Sequence, residues 1–353
     1  DCAMGYNNLG ALYETMGNYL AAESMYILCT NTYKKAIGTD NPNYAKSLNN
    51  LGGLYKNMSN YAKAESIYFT TLKIRKKVLG ETHPDYATSI NNLATLYEAM
   101  HQYAEAEPLL KQSLSIYKKS YGNKHPLYAS AVNNLASLYK SMKKYSEAEY
   151  LFKEAIQIRK KTLGVMHIDY ASSLHNLGGL YVQMNKFEEA ETLYTEAISI
   201  DEKVLGKFHP SYANDLNKLT YLYYKSNNFN KWKAFIITTL QTENTNQQLL
   251  IQNFSETEKE VFLKNESEMQ DIFLSMLYYF TNADGTTFYQ STTAKQGWLL
   301  QGKQLLNSWA AQSTDTLVKR LYGQWQNTNK IMAVALQLTE EKRKLNGIQL
   351  DSL

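Results

Sequence analysis

The sequence predicts an all-α solenoid of helix-turn-helix repeats, and three observations carry that expectation. The first is a fixed period. The stretch Asn49-Asn50-Leu51-Gly52-Gly53-Leu54-Tyr55 returns as Asn91-Asn92-Leu93-Ala94-Thr95-Leu96-Tyr97 and as Asn133-Asn134-Leu135-Ala136-Ser137-Leu138-Tyr139. Looser copies run from Asn7 to Tyr13, from His175-Asn176-Leu177 to Tyr181, and from Asn217-Lys218-Leu219 to Tyr223, so the leucines stand 42 residues apart throughout. Self-similarity at one such period is the signature of a repeat architecture. The second observation is helical spacing inside each copy: Ile90, Leu93, Ala94 and Tyr97 recur at i, i+3, i+4 and i+7, which marks one buried helical face. The third is punctuation. Pro42, Pro84, Pro126 and Pro210 open successive units, with Ile168 the exception, and Gly38, Gly80, Gly122, Gly164 and Gly206 close them.

One unit, from His83 to Gly122, shows the logic in order. His83 is placed to cap a helix whose first residue, Pro84, has no N–H to lose. That first helix is expected from Pro84 to Met100, followed by a turn at His101-Gln102. A second helix carries Tyr103, Ala106, Leu110, Leu114 and Tyr117 at helical spacing, and Gly122 is expected to end it in left-handed geometry. Small residues Ala22, Ala64, Ala106, Ala148 and Ala190 mark where the second helix approaches the first. Each pair exposes an apolar flank that only the next pair covers, so the copies stack.

At both ends the pattern changes. Asp1 aligns with Asp85, so the first repeat is expected to be truncated. In the sixth, Lys231-Trp232-Lys233 replaces the small residues and no closing glycine follows. The expected organisation is therefore a repeat region over 1–245 and a C-terminal helical subdomain over 246–353. Ser255-Glu256-Thr257-Glu258 reads as a capping box there, Asn282-Ala283-Asp284-Gly285 as a turn, and long helices are expected near 287–311 and 314–345.

Tyr55, Tyr61, Ala64, Tyr68 and the Leu51-Gly52 pair resemble the tetratricopeptide pattern. The 42-residue form, with His-Pro, Asn-Asn-Leu-Ala and a basic run such as Ile74-Arg75-Lys76-Lys77, is similar to the kinesin light chain subclass. That resemblance implies a concave groove lined by first helices, with Asn50, Asn92, Asn134 and Asn176 holding a peptide. The tail resembles the helical segment that joins such repeats to a bacterial caspase-like (CHAT-type) protease. Such a protease needs a His and a Cys, yet the last of each are His209 and Cys29, both within the repeats. No catalytic constellation, cofactor or metal is expected in this chain, and no glycine-rich phosphate loop appears.

Composition narrows the function classes. A net charge of +4, from 37 basic and 33 acidic residues spread along the chain, makes nucleic-acid binding a minor alternative. The Lys pairs ending second helices (Lys76-Lys77, Lys118-Lys119, Lys160-Lys161) complement the helix dipole. Two cysteines give no disulfide framework, and no apolar run is long enough to span a membrane, so a cytoplasmic location is expected. Four of the six histidines (His83, His125, His167, His209) occupy the repeat-opening position and read as helix caps.

The remaining candidates come from the helical wheel. Leu48, Leu51, Gly52 and Tyr55 fall on one face, whereas Asn49, Asn50, Gly53 and Lys46 fall away from it. An Asn amide donates to a peptide carbonyl and accepts from a peptide N–H at once, which suits an extended backbone of any sequence. The expected groove therefore comprises Asn49, Asn50, Asn91, Asn92, Asn133, Asn134, His175, Asn176 and Asn217, with Lys46, Lys56 and Lys140 adding positive charge opposed by Glu98. The amides are equally suited to bridging neighbouring helices. The leading expectation is a non-catalytic module binding a protein or peptide partner, with an acidic or C-terminal segment one form that the lysines would suit. The alternative is a structural or autoinhibitory scaffold whose groove its own tail fills.

Overall fold

In the computed structural model, the described residues run from 2 to 242, except 16, 17, 208, 229, 233, 236, 237, 240 and 241. The C-terminal subdomain expected over 246–353, with its capping box, lies outside them. Five helix pairs and one further helix succeed one another: α1 (Cys2–Thr15) with α2 (Tyr19–Ile37), α3 (Pro42–Asn57) with α4 (Tyr61–Leu79), α5 (Pro84–Ala99) with α6 (Tyr103–Tyr121), α7 (Pro126–Ser141) with α8 (Tyr145–Leu163), α9 (Ile168–Gln183) with α10 (Phe187–Leu205), and α11 (Pro210–Lys225). The described residues contain no strand.

Each first helix starts as its residues dictate. Nδ1 of His83, His125, His167 and His209 accepts the backbone N–H two residues on, at 3.1–3.2 Å. Asn41 does the same for α3 through its side-chain oxygen. These groups satisfy a donor that the helix leaves orphaned, and the histidine caps expected from sequence are all present.

Helix ends differ from expectation. The closing glycines do have positive φ, 77–85°, but their ψ values near 180° put them in the mirror image of the β region rather than in left-handed helix. That corner of backbone space is essentially closed to residues with a Cβ. The true left-turning caps stop the first helices, at Ser59, His101, Lys143, Asn185 and Asn227, with φ of 55–60°. There the chain makes paired bonds, for instance His101 N–H to Glu98 O at 3.0 Å and Gln102 N–H to Tyr97 O at 2.8 Å. This double closure satisfies two orphan carbonyls and is made here without glycine.

Packing runs from pair to pair without a break. Leu51, Leu54 and Tyr55 of α3 meet Ala22 and Tyr26 before them and Ala64, Tyr68, Leu93 and Leu96 after. Fully burying one such leucine is worth about 1.5–3 kcal/mol, and the neighbouring repeat supplies much of that cover. A polar staple repeats with it. Tyr55, Tyr139, Tyr181 and Tyr223 each donate from the hydroxyl to a glutamate 32 residues earlier (Glu23, Glu107, Glu149, Glu191), and the three longer bonds measure 2.8–3.0 Å. Every such bond ties a first helix to the second helix of the preceding pair. Consecutive first helices also touch one another (α3 with α5, α5 with α7, α7 with α9, α9 with α11), so they line the inner side of the stack.

Candidate interaction groove

The paired asparagines form a ladder across the inner helices. Asn50 Nδ2 donates to Asn7 Oδ1 at 2.6 Å, Asn92 to Asn49 at 2.9 Å, Asn134 to Asn91 at 3.1 Å and Asn176 to Asn133 at 3.1 Å. In every rung the second asparagine of one repeat donates to the first asparagine of the repeat before. The amides therefore bridge neighbouring helices. One rung uses only one of the donor side chain's two N–H groups, so each amide keeps capacity for a further partner.

Between α5, α7 and α9 the ladder borders a cavity of about 410 Å³. Asn133, Asn134 and Asn176 line it together with Lys56, Thr95, Glu98, Ser137 and the exposed Ala99. Glu98 is held in place by Ser137 Oγ at 2.9 Å and Ser141 Oγ at 3.0 Å. Gly179 opens space near Lys140 Nζ, and Gly53 does so beneath the Tyr68 hydroxyl.

The charges along this face follow a register that the sequence reading did not single out. Glu14, Lys56, Glu98 and Lys140 occupy one repeat position in four successive first helices. Burial pushes the Lys56 ammonium below its usual range, while Glu98 and Glu14 on either side hold it up. Lys140 is likewise lowered by burial, with Glu98 opposing and Lys218 reinforcing the shift. An alternating column of this kind positions its own charges and leaves the groove polar with both signs present. Subtracting the period from Lys140 three times would have found it.

Not every expected groove residue faces the groove. Lys46 is exposed, and Asn49, Asn50, Asn91, Asn92, Asn134, Asn176 and Asn217 are half-buried. Asn133 is buried, although it still borders the cavity. His175, one period on, is as buried as Asn133, but its ring turns inward against Tyr194, toward Asp201 and Asp215. It does not line the cavity, and the Asp201 and Asp215 toward which it turns stand where the other repeats carry Tyr or Arg and Ser or Ala. Burial lowers the His175 pKa, and burial with the neighbouring Asp215 raises that of Asp201. Lys218, which replaces the donor asparagine, turns to Asp215 Oδ1 at 3.1 Å instead of continuing the ladder.

Three comparisons bear on this architecture. No curated protein matches the chain. Among solved structures the chain is similar to BtubC (BKLC) from P. vanneervenii, at 20% identity over 67% of this chain and 92% of that one, with a TM-score of 0.50. It is also similar to a Podosopora anserina putative kinesin light chain with nearly identical TPR-like repeats, at 25% identity over 59% and 98%, with a TM-score of 0.47. The first likeness, at that identity, concerns the fold alone. The family model described as tetratricopeptide repeat matches residues 1–77, 47–119, 90–161 and 163–231. Those matches take in well over half of the 353 residues, and the chain belongs to the tetratricopeptide repeat family.

Proposed function

We propose that the array is a protein-interaction module that holds an extended peptide segment along the inner helices, centred on the cavity between α5, α7 and α9. The observation that carries this reading is the meeting of three ladder amides with Lys56 and the hydroxyls of Thr95 and Ser137 around one opening of about 410 Å³. Amides and hydroxyls both donate and accept, so they match a peptide backbone irrespective of its side chains. Each such bond contributes about 0.5–1.5 kcal/mol net, which gives a graded grip along the ladder. Lys56 and Lys140, desolvated by burial, favour a carboxylate in the ligand alongside Glu98 and Glu14. An acidic or C-terminal peptide segment fits that requirement. The layout of residues 246–353 supports a place for the array as the recognition arm of a longer protein carrying a caspase-like protease.

Selection from a displayed peptide library against the full chain tests the reading. Enriched sequences should be acidic or end at a free carboxylate, and amidating that terminus should weaken binding. Recovery of no peptide above background, or indifference to amidation and to acidic residues alike, would overturn it.

A further inference from the structure

We propose that the junction of α9, α10 and α11 binds one divalent transition-metal ion of the zinc class, held by His175, Asp201 and Asp215. Two other junctions carry an arginine staple at the same positions. Arg159 donates to Ser173 Oγ at 2.7 Å and to Asp169 O at 2.9 Å. Arg75 makes the matching bonds to Ser89 Oγ at 2.9 Å and Asp85 O at 2.7 Å. One period after Arg159 stands Asp201, one period after Ser173 stands Asp215, and one period after Asn133 stands His175. The arginine and serine of the staple are thus replaced by two carboxylates, and a ladder asparagine by a histidine, all residue types that ligate metals.

The three side chains converge. His175, Asp201 and Asp215 are 7%, 6% and 2% exposed, and their ligating atoms lie within 4.8 Å of one another. His175 Nε2 is 2.9 Å from Asp215 Oδ1 and 3.9 Å from Asp201 Oδ2. Ligand atoms about 2.1 Å from a tetrahedral zinc stand about 3.4 Å apart, and the two distances bracket that spacing. Nδ1 of His175, Oδ1 of Asp201 and Oδ2 of Asp215 are buried with no hydrogen-bond partner. Buried polar atoms are rarely left so.

Charge points the same way. Two buried carboxylates face Lys218 Nζ, 3.1 Å from Asp215 Oδ1, and among the described residues no other ammonium or guanidinium is paired with them. A divalent ion supplies the missing positive charge and lets Lys218 orient Asp215 from outside the coordination shell. One nitrogen and two carboxylate ligands suit zinc, cobalt or manganese better than calcium or magnesium. The ion would pin the last intact repeat to the degenerate one.

The test uses the full chain, stripped with chelator and titrated with zinc chloride by calorimetry and by thermal unfolding. The informative variant is His175→Asn with Asp201→Arg and Asp215→Ser, which copies Asn133, Arg159 and Ser173 one period earlier and so has a packing precedent within the same protein. Wild type should bind one zinc per chain with a rise in Tm, and cobalt should show tetrahedral d–d absorption. In the triple variant that binding, the Tm rise and the absorption should all be lost. Asp201→Asn, which keeps size and shape, should weaken binding at least tenfold and decides the matter should the triple variant fail to fold. A wild type that takes up no zinc, with the pair of carboxylates instead sharing a proton, would overturn the proposal, as would equal affinity in wild type and Asp201→Asn.

Discussion

Gly52 lies so close to Tyr68 that a Cβ at 52 would stand 2.7 Å from Cε1 of the ring. The same relation joins Gly10 to Tyr26 and Gly178 to Tyr194, whereas the corresponding positions one and two periods after Gly52 and Tyr68 pair Ala94 with Leu110 and Ala136 with Phe152 in register. Glycine accompanies the bulkiest ring and alanine the smaller side chain. Size is matched within each helix pair while the period is kept. Gly52→Ala should therefore destabilise by about 1–3 kcal/mol through overpacking, and adding Tyr68→Leu, which copies the Ala94–Leu110 pair, should recover part of that. Additive losses in a denaturation double-mutant cycle would contradict the coupling.

Positive φ is needed at two kinds of helix end, and they predict opposite results. Gly122 has φ 77° and ψ 175° with open space around its Cα. Gly122→Ala should cost about 1–3 kcal/mol from backbone strain alone. Lys143, at φ 60°, already bears such a strain. Lys143→Gly should stabilise, by up to about 1 kcal/mol, because a side chain in left-handed geometry costs about 1–2 kcal/mol and the glycine's greater unfolded freedom offsets some of the relief. Urea midpoints would read both.

Because the ladder amides bridge helices, Asn92→Ala with Asn134→Ala should lower stability as well as remove ligand contacts. Two rungs lost at about 0.5–1.5 kcal/mol each give about 1–3 kcal/mol. An unchanged Tm would mean that the rungs add nothing to the stack.

Acid should loosen the staples between pairs. Hydrogen bonding from Lys111 and from the Tyr139 hydroxyl holds Glu107 below the usual carboxylate range, against the opposing effect of burial, and Lys153 and Tyr181 do the same for Glu149. A folded-state pKa that is depressed gives stability present above the unfolded value, near 4.5 for glutamate, and lost as pH falls through the folded value. Unfolding free energy measured from pH 6 downward should therefore decline below about pH 5, and Glu107→Gln should flatten part of that decline. A slope identical in the variant would refute the assignment.

Much of the stack was legible in the sequence because every repeat must present the same face to its neighbours. The period, the helix bounds and the histidine caps all follow from that repetition. The wheel turned Asn49 and Asn50 away from the packed face, but it treats one helix at a time. It could not show that successive first helices come close enough for Asn92 to reach Asn49. The left-turning caps at His101 and Lys143 escaped notice because neither is glycine, and tertiary packing holds a geometry that local preference disfavours. His175 was read as a groove residue from its own register. The acidic residues it turns toward, Asp201 and Asp215, lie one and two helices further on in other registers, and only a comparison of those positions with Arg159 and Ser173 reveals the change.

The central claim is that recognition takes place on the inner helices. Ala99 lines the cavity, is exposed, and its side chain makes no polar bond, so Ala99→Arg fills the opening at little cost to stability. Tyr150 on α8 is 71% exposed on the other helix of its pair, and Tyr150→Arg adds the same charge away from the groove. A fluorescence-polarisation titration of one library-selected peptide against both variants is the most direct measurement. The account predicts at least a tenfold loss of affinity for Ala99→Arg and wild-type affinity for Tyr150→Arg, with Tm unchanged in both; equal affinities for the two variants would contradict it.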